Sequence, residues 1–230
     1  MIKIDKTEVF GWEAVIRGMR NPMNSWDKSD SGWFELEDWQ KADTGDTFQY
    51  RIGENDLALM KKLSKAGSDH AKFLRYIWVS FDVEAPLYWW KEMETYRVGV
   101  AENPTDIEFN SCSTMHKIHA KEFVLDDFSH EKLIDKAVVY NGYVPTSVLE
   151  CVIGALNEFR ELYLETNNKL YWHQIIQLLP SSYNQKRTVQ LNYQVLKNMY
   201  HARKNHKLDE WRTLCEWAEV LPYFKEICVE

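Results

Sequence analysis

The sequence predicts an α+β fold, with a mixed or antiparallel sheet flanked by helices. Three observations carry this: one clear strand, several amphipathic helices, and neither βαβ repetition nor a glycine-rich phosphate loop. The strand is residues 76–83, where Ile77, Val79, Phe81 and Val83 alternate with Tyr76, Trp78, Ser80 and Asp82. The longest helix is expected over 147–165. Ser147 and Glu150 suit a capping box there, and Val148, Val152, Leu156, Phe159 and Tyr163 would form its buried face.

The other elements follow in order. Residues 2–10 suit a strand, 11–19 a short helix, and 20–32 a polar, turn-rich loop. Residues 33–53 hold two or three short aromatic segments. Asn55 or Asp56 caps a helix that stops at Gly67, with Leu59, Met60, Leu63 and Ala66 at helical spacing. Pro86 suits the first turn of a helix that puts Trp89, Met93 and Tyr96 on one stripe, and 98–114 is expected to be loop. A helix over 171–179 stops at Pro180, and 187–191 is extended. Asn192 caps a helix running to Arg203, and a last helix covers 208–220.

Neither repeats nor a Pro/Gly-rich linker divide the chain, so a single domain over 1–230 is expected. Apolar residues at 45% and charged residues at 27% suit a globular protein with a substantial core. The ten Trp and twelve Tyr serve either a ring-rich core or a pocket for a planar ligand. A net charge of −7 argues against binding a nucleic-acid polymer. Lys186, Arg187, Lys197, Arg203, Lys204 and Lys207 nevertheless cluster late in the chain, as a solvated face or a local attraction for a small anion. The four cysteines show neither CxxC nor metal spacing, and no long apolar run suggests a signal or membrane span. A cytoplasmic protein with free thiols, no metal and no membrane association is therefore expected.

Few residues suggest chemistry by themselves. Asn192, Leu196, Met199 and Arg203 share one helical stripe, so the arginine either snorkels to water or holds the carbonyl edge of a bound base. Asn192 suits a helix cap, which is compatible with touching a ligand. Ser113 has no triad partner nearby in sequence, and Cys112 suits a small apolar role better than that of a nucleophile. His116 and His119 lack a third metal ligand at a recognisable spacing.

Two separated stretches resemble the flavin-dependent thymidylate synthases. In the first, the helix from Leu59 to Gly67 leads through Asp69-His70 to the strand, to Ala85-Pro86, to Glu92 and Thr95-Tyr96-Arg97, and to Asn110-x-x-Ser113. In the second, Leu179-Pro180, Asn192, Asn198 and Arg203 follow in the family's order and approximate spacing. The resemblance implies reductive methylation of deoxyuridine monophosphate (dUMP) by a homotetramer. It implies FAD as cofactor, methylenetetrahydrofolate as carbon donor and NADPH as reductant. Catalysis would fall to Ser113 and Arg203. Substrate would meet Glu92, Asn110, Ser113 and Arg203, while His70, Tyr96, Arg97, Asn192 and Asn198 would meet the cofactor. The chain also departs from the family. Thr95-Tyr96-Arg97 stands for Arg-His-Arg, Glu92 for a glutamine, Met115 for an arginine, and Ile176-Gln177 where an arginine precedes Leu-Pro. Fewer arginines weaken monophosphate binding unless Lys91, Lys117 or Lys186 compensates. The alternatives are a flavin-dependent pyrimidine hydroxymethylase and a non-catalytic relative of the same fold.

Overall fold

The computed structural model describes residues 2–38, 40–41, 47–96, 107–135, 142 and 144–230. It is an α+β structure whose four-stranded antiparallel sheet is ordered β1-β4-β6-β5, with a separate two-stranded sheet of β2 and β3. These six strands are β1 (Lys3–Phe10), β2 (Gly32–Glu35), β3 (Phe48–Arg51), β4 (Trp78–Pro86), β5 (Ile107–Ser111) and β6 (Asn184–Asn192). The helices are α1 (Trp12–Arg20), α2 (Glu54–Lys65), α3 (Leu87–Met93), α4 (Pro145–Thr166), α5 (Lys169–Leu178), α6 (Tyr193–Arg203) and α7 (Asp209–Glu219).

Strand β4 keeps the predicted alternation but runs over Trp78–Pro86 rather than 76–83, because Tyr76 still belongs to the helical turn Ala71–Tyr76. Its odd-numbered residues from Val79 to Ala85 are buried and its even-numbered ones from Trp78 to Glu84 half-exposed, with Pro86 buried at the end. Gly11 joins β1 to α1 at φ 100°, and a Cβ there would lie 2.2 Å from the Tyr76 carbonyl oxygen. Only glycine meets both demands.

The structure corrects several expected boundaries. Neither Asn55 nor Asp56 caps α2; the Asp30 carboxylate takes the N–H groups of Asn55 at 2.9 Å and Asp56 at 3.1 Å. Asp56 is instead buried against Arg20, where it binds more donors than a cap would. Pro86 precedes α3 in an extended conformation (ψ 150°) rather than lying in its first turn. The expected loop over 98–114 contains β5, whose Ile107 is buried. Helix α4 begins at Pro145, so Ser147 and Glu150 are already inside it and form no capping box. That start leaves Val148 44% exposed and buries Leu149 in its stead, while Leu156 is buried as expected.

The chain divides into two compact units. The first comprises residues 1–5, 82–98 and 109–188. Its core gathers Ile118, Phe123 and Phe128 with Leu149 and Leu156 of α4 and Ile175 of α5. Here the Leu87 N–H donates to the Tyr183 carbonyl at 3.0 Å, which fixes where α3 leaves the sheet.

The second unit comprises residues 6–81, 99–108 and 189–230. Met60, Leu74, Tyr193, Trp211 and Phe224 are fully buried in it. The Tyr193 N–H donates to the Ile77 carbonyl at 2.9 Å, and its hydroxyl to Pro222 O at 2.9 Å.

All four cysteines are free; Cys112 and Cys151 are exposed, Cys215 and Cys228 buried. Burial pushes the Cys215 thiol up to about 11 and that of Cys228 up to about 12. A maleimide should therefore label Cys112 and Cys151 promptly in the native protein, and the other two only after denaturation. Mass spectrometry showing fast native labelling of Cys215 or Cys228 would contradict this packing.

Candidate functional site

In the first unit the candidate residues lie on two stretches, α3 with the residues after it, and β5 with the turn after it. Asn110 lies near the end of β5, and Ser113 follows on an exposed turn. The Ser113 hydroxyl oxygen accepts the N–H groups of His116 at 2.8 Å and Met115 at 3.2 Å, with His116 Nδ1 3.5 Å away. Those bonds hold the oxygen in place, and its proton can face His116 Nδ1 or a ligand acceptor, according to the imidazole tautomer. Glu92 and Tyr96 are half-buried, on α3 and just beyond its end. Arg97 lies outside the described residues.

The turn is anchored to β6. The Cys112 N–H donates to Lys186 O at 3.0 Å, and Gln185 Nε2 donates to Cys112 O at 2.6 Å. The same Gln185 takes Arg187 Nε on its Oε1 at 3.0 Å and Trp90 Nε1 on its carbonyl at 3.0 Å. Arg187 lies over the Trp90 ring at 4.3 Å and near the Phe109 ring at 5.7 Å. Its guanidinium meets Glu94 at 2.6 Å, with only 11% of its side chain exposed. Sequence reasoning placed Arg187 only in a general basic cluster. The signal was its alternation with Gln185 on β6, which puts a cation on the face that packs against rings. Lys186 points the other way, to Asp82 at 3.1 Å and Asp5 at 3.8 Å.

In the second unit, Asn192, Asn198 and Arg203 share α6, and the helix geometry keeps its ends apart. Eleven residues separate Asn192 from Arg203, roughly 16 Å along the axis, so one small ring cannot touch both. Asn192 is fully buried and caps α6, its Oδ1 accepting the Val195 N–H at 3.0 Å. Its Nδ2 is buried with no hydrogen-bond partner among the described residues. Asn198 is exposed and accepts from Gln194 Nε2 at 3.1 Å. Arg203 is half-exposed, neither buried nor fully in water, with its guanidinium 4.7 Å over the buried Trp211 ring. His70 is exposed at the start of the turn Ala71–Tyr76.

Among the described residues no group of three or more His, Cys, Asp or Glu side chains is placed to hold a metal ion. No described helix is long and apolar enough to cross a membrane.

No family model and no curated protein matches the sequence. Solved structures do match the fold. Thymidylate synthase X (ThyX) from Helicobacter pylori, crystallised with FAD and dUMP, superposes with a TM-score of 0.65 at 16% identity, over 100% of this chain and 98% of that one. The fold is that of flavin-dependent thymidylate synthase. A second crystal structure of flavin-dependent ThyX from H. pylori, complexed with FAD and dUMP, gives a TM-score of 0.64 at 16% identity, covering 99% and 98%. The UMP/dUMP methylase PolB from Streptomyces cacaoi, bound with 5-Br dUMP, gives 0.57 at 14% identity, covering 99% and 93%. The ThyX-like fold thus extends over nearly the whole chain. Site residues need separate argument, because a fold hosts more than one chemistry.

Proposed function

We propose that the chain is a flavin-dependent enzyme that binds dUMP and methylates it reductively, with methylenetetrahydrofolate as carbon donor and NADPH as reductant. The observation that carries this is the end-to-end ThyX-like fold shared with two structures holding FAD and dUMP. It is supported by the Asn110–Ser113 turn, fixed to β6 beside Arg187.

The residues present fit FAD on one point. Asn192 carries a buried N–H donor without an acceptor among the described residues, at a helix start, and a ring carbonyl of the cofactor would supply one. Asn198 and His70 are exposed and would hold the outer parts of the cofactor. When bound, FAD would supply the redox chemistry. The chain's own residues bind and orient. Ser113 Oγ–H would donate to the pyrimidine, with Asn110 beside it. Arg203 would present its planar fork to the base carbonyls. Arg187 is the cation we assign to the phosphate in place of the arginines absent at 95 and 115, with Glu94 as its partner until the nucleotide arrives. Glu92 and Tyr96 would close the substrate and cofactor ends of α3.

The fold's apolar surface fits a homotetramer, which we include in the proposal. Val148 and Leu164 on α4, with Leu170 and Leu178 on α5, are exposed in the first unit. Covering them against other copies removes that area from water. We also place the enzyme in the cytoplasm, where its thiols stay reduced.

The deciding experiment is the visible spectrum of purified protein, followed by turnover of dUMP with the folate and NADPH. A yellow protein that releases dTMP is expected. A colourless preparation that fails to quench the fluorescence of added FAD would remove the proposal.

A further inference from the structure

The second unit contains a cleft of about 840 Å³ that none of the candidate site residues lines. Its walls come from the end of β1, the start of α1, the β2–β3 pair and the turn through Pro222, Tyr223 and Glu226. The volume suits a nucleotide-sized molecule rather than an ion.

The cleft is lined with rings held in fixed positions. Tyr223 has φ 57°, a conformation disfavoured for a bulky L-residue. That backbone puts its ring edge-on to Trp12 at 5.4 Å and its hydroxyl where it accepts the Ile52 N–H at 3.3 Å. Trp33 stands edge-on to Tyr50 at 5.4 Å across the β2–β3 pair. Trp33 and Phe48 remain 62% and 54% exposed, which leaves much apolar ring area facing water.

Charge of both signs accompanies these rings. Glu13 and Arg17 lie one turn apart on α1, with Arg51 on β3 and Glu226 near the chain end. None of the four forms an ion pair with another described residue. A purely apolar ligand would desolvate four charges without compensation. A simple anion would meet the carboxylates as well as the guanidinia. A flat ligand with an amine donor at one end and a phosphate at the other satisfies both.

We propose that this cleft is a second nucleotide site, taking a base with an exocyclic amine stacked on the lining rings. The amine donates to a carboxylate of Glu13 or Glu226, and the phosphate meets Arg17 or Arg51. The proposal does not depend on the thymidylate-forming reaction.

Adenosine monophosphate is the probe, titrated calorimetrically into the intact protein with FAD and dUMP already present, so that those sites do not compete for it. Binding with a dissociation constant below about 1 mM is expected. Trp33→Ala should weaken it about tenfold, as loss of a stacking ring does. The double variant Arg17→Ala/Arg51→Ala should weaken adenosine monophosphate about tenfold and leave adenosine nearly unchanged. Inosine monophosphate, which lacks the amine, should bind about fivefold or more weakly than adenosine monophosphate. Because the side chains changed are exposed, circular dichroism should show an intact fold. No binding of adenosine monophosphate, parental affinity in both variants, equal affinity for the inosine nucleotide, or inorganic phosphate binding as tightly would each overturn the proposal.

Discussion

Urea unfolding should find Asp56→Ala about 3–5 kcal/mol less stable than the parent chain, the cost of stranding one partner of a buried ion pair. Arg20 is 4% exposed and Asp56 is fully buried, with Arg20 Nε 2.6 Å from Asp56 Oδ1. The other carboxylate oxygen accepts the hydroxyls of Ser29 and Ser31, each at 2.7 Å, and the N–H groups of Asp30 and Ser31, each at 3.2 Å. Alanine would leave the guanidinium and two backbone donors without that acceptor. The effect carries a pH signature. Burial by itself pushes the Asp56 carboxyl up, but the hydrogen bonds of Ser29, Ser31 and Arg20, with the charge of Arg20, outweigh it and hold the group below its ordinary value. A depressed carboxylate stabilises the fold above its unfolded value, about 3.9. That stabilisation is lost as pH falls through the lower folded value. Asp56→Ala should therefore be less stable than the parent at neutral pH, with the difference shrinking in acid. A deficit under about 1 kcal/mol at pH 7 would show that the pair is not the keystone of this loop.

Arg203→Ala should cut dUMP affinity about thirty-fold or more and stop turnover, while FAD binding and the fold persist. The alternative role is visible in the structure, since the guanidinium lies over Trp211 at 4.7 Å. If stacking were its whole role, the change would cost roughly 0.5–1 kcal/mol of stability and leave nucleotide affinity untouched. Arg203→Lys separates the two contributions, because ammonium retains charge but loses the planar fork. Calorimetry with dUMP on all three proteins gives the answer, and parental affinity in Arg203→Ala would remove this residue from the site.

What could be read from the sequence depended on how local the signal was. Strand β4 was legible because its period-two alternation persists over many residues, and α6 because a good cap stands directly before its apolar stripe. Strand β5 was missed because it is short and ends in polar Asn110 and Ser111, which read as loop. The start of α4 was misplaced because a plausible capping box lay two residues inside it. Asp56 was assigned to a cap because its true partner is 36 residues distant, beyond any local rule. For the site, the order of Asn110, Ser113, Asn192, Asn198 and Arg203 carries the resemblance, and their roles stay part of the proposal. Arg187 became specific only when Trp90 and Phe109 were seen beside it.

The lone Nδ2 of Asn192 links α6 to whatever completes its bonding. An enclosed amide donor without an acceptor costs the folded state about 1–3 kcal/mol. A molecule that supplied the acceptor would relieve that cost only in the native state. Linkage then makes the melting temperature rise by more than the molecule's remaining contacts would give. Thermal shift on the parent chain and on Asn192→Ser, which keeps a capping oxygen but loses the amide, would report completion of that bond without any assay of turnover.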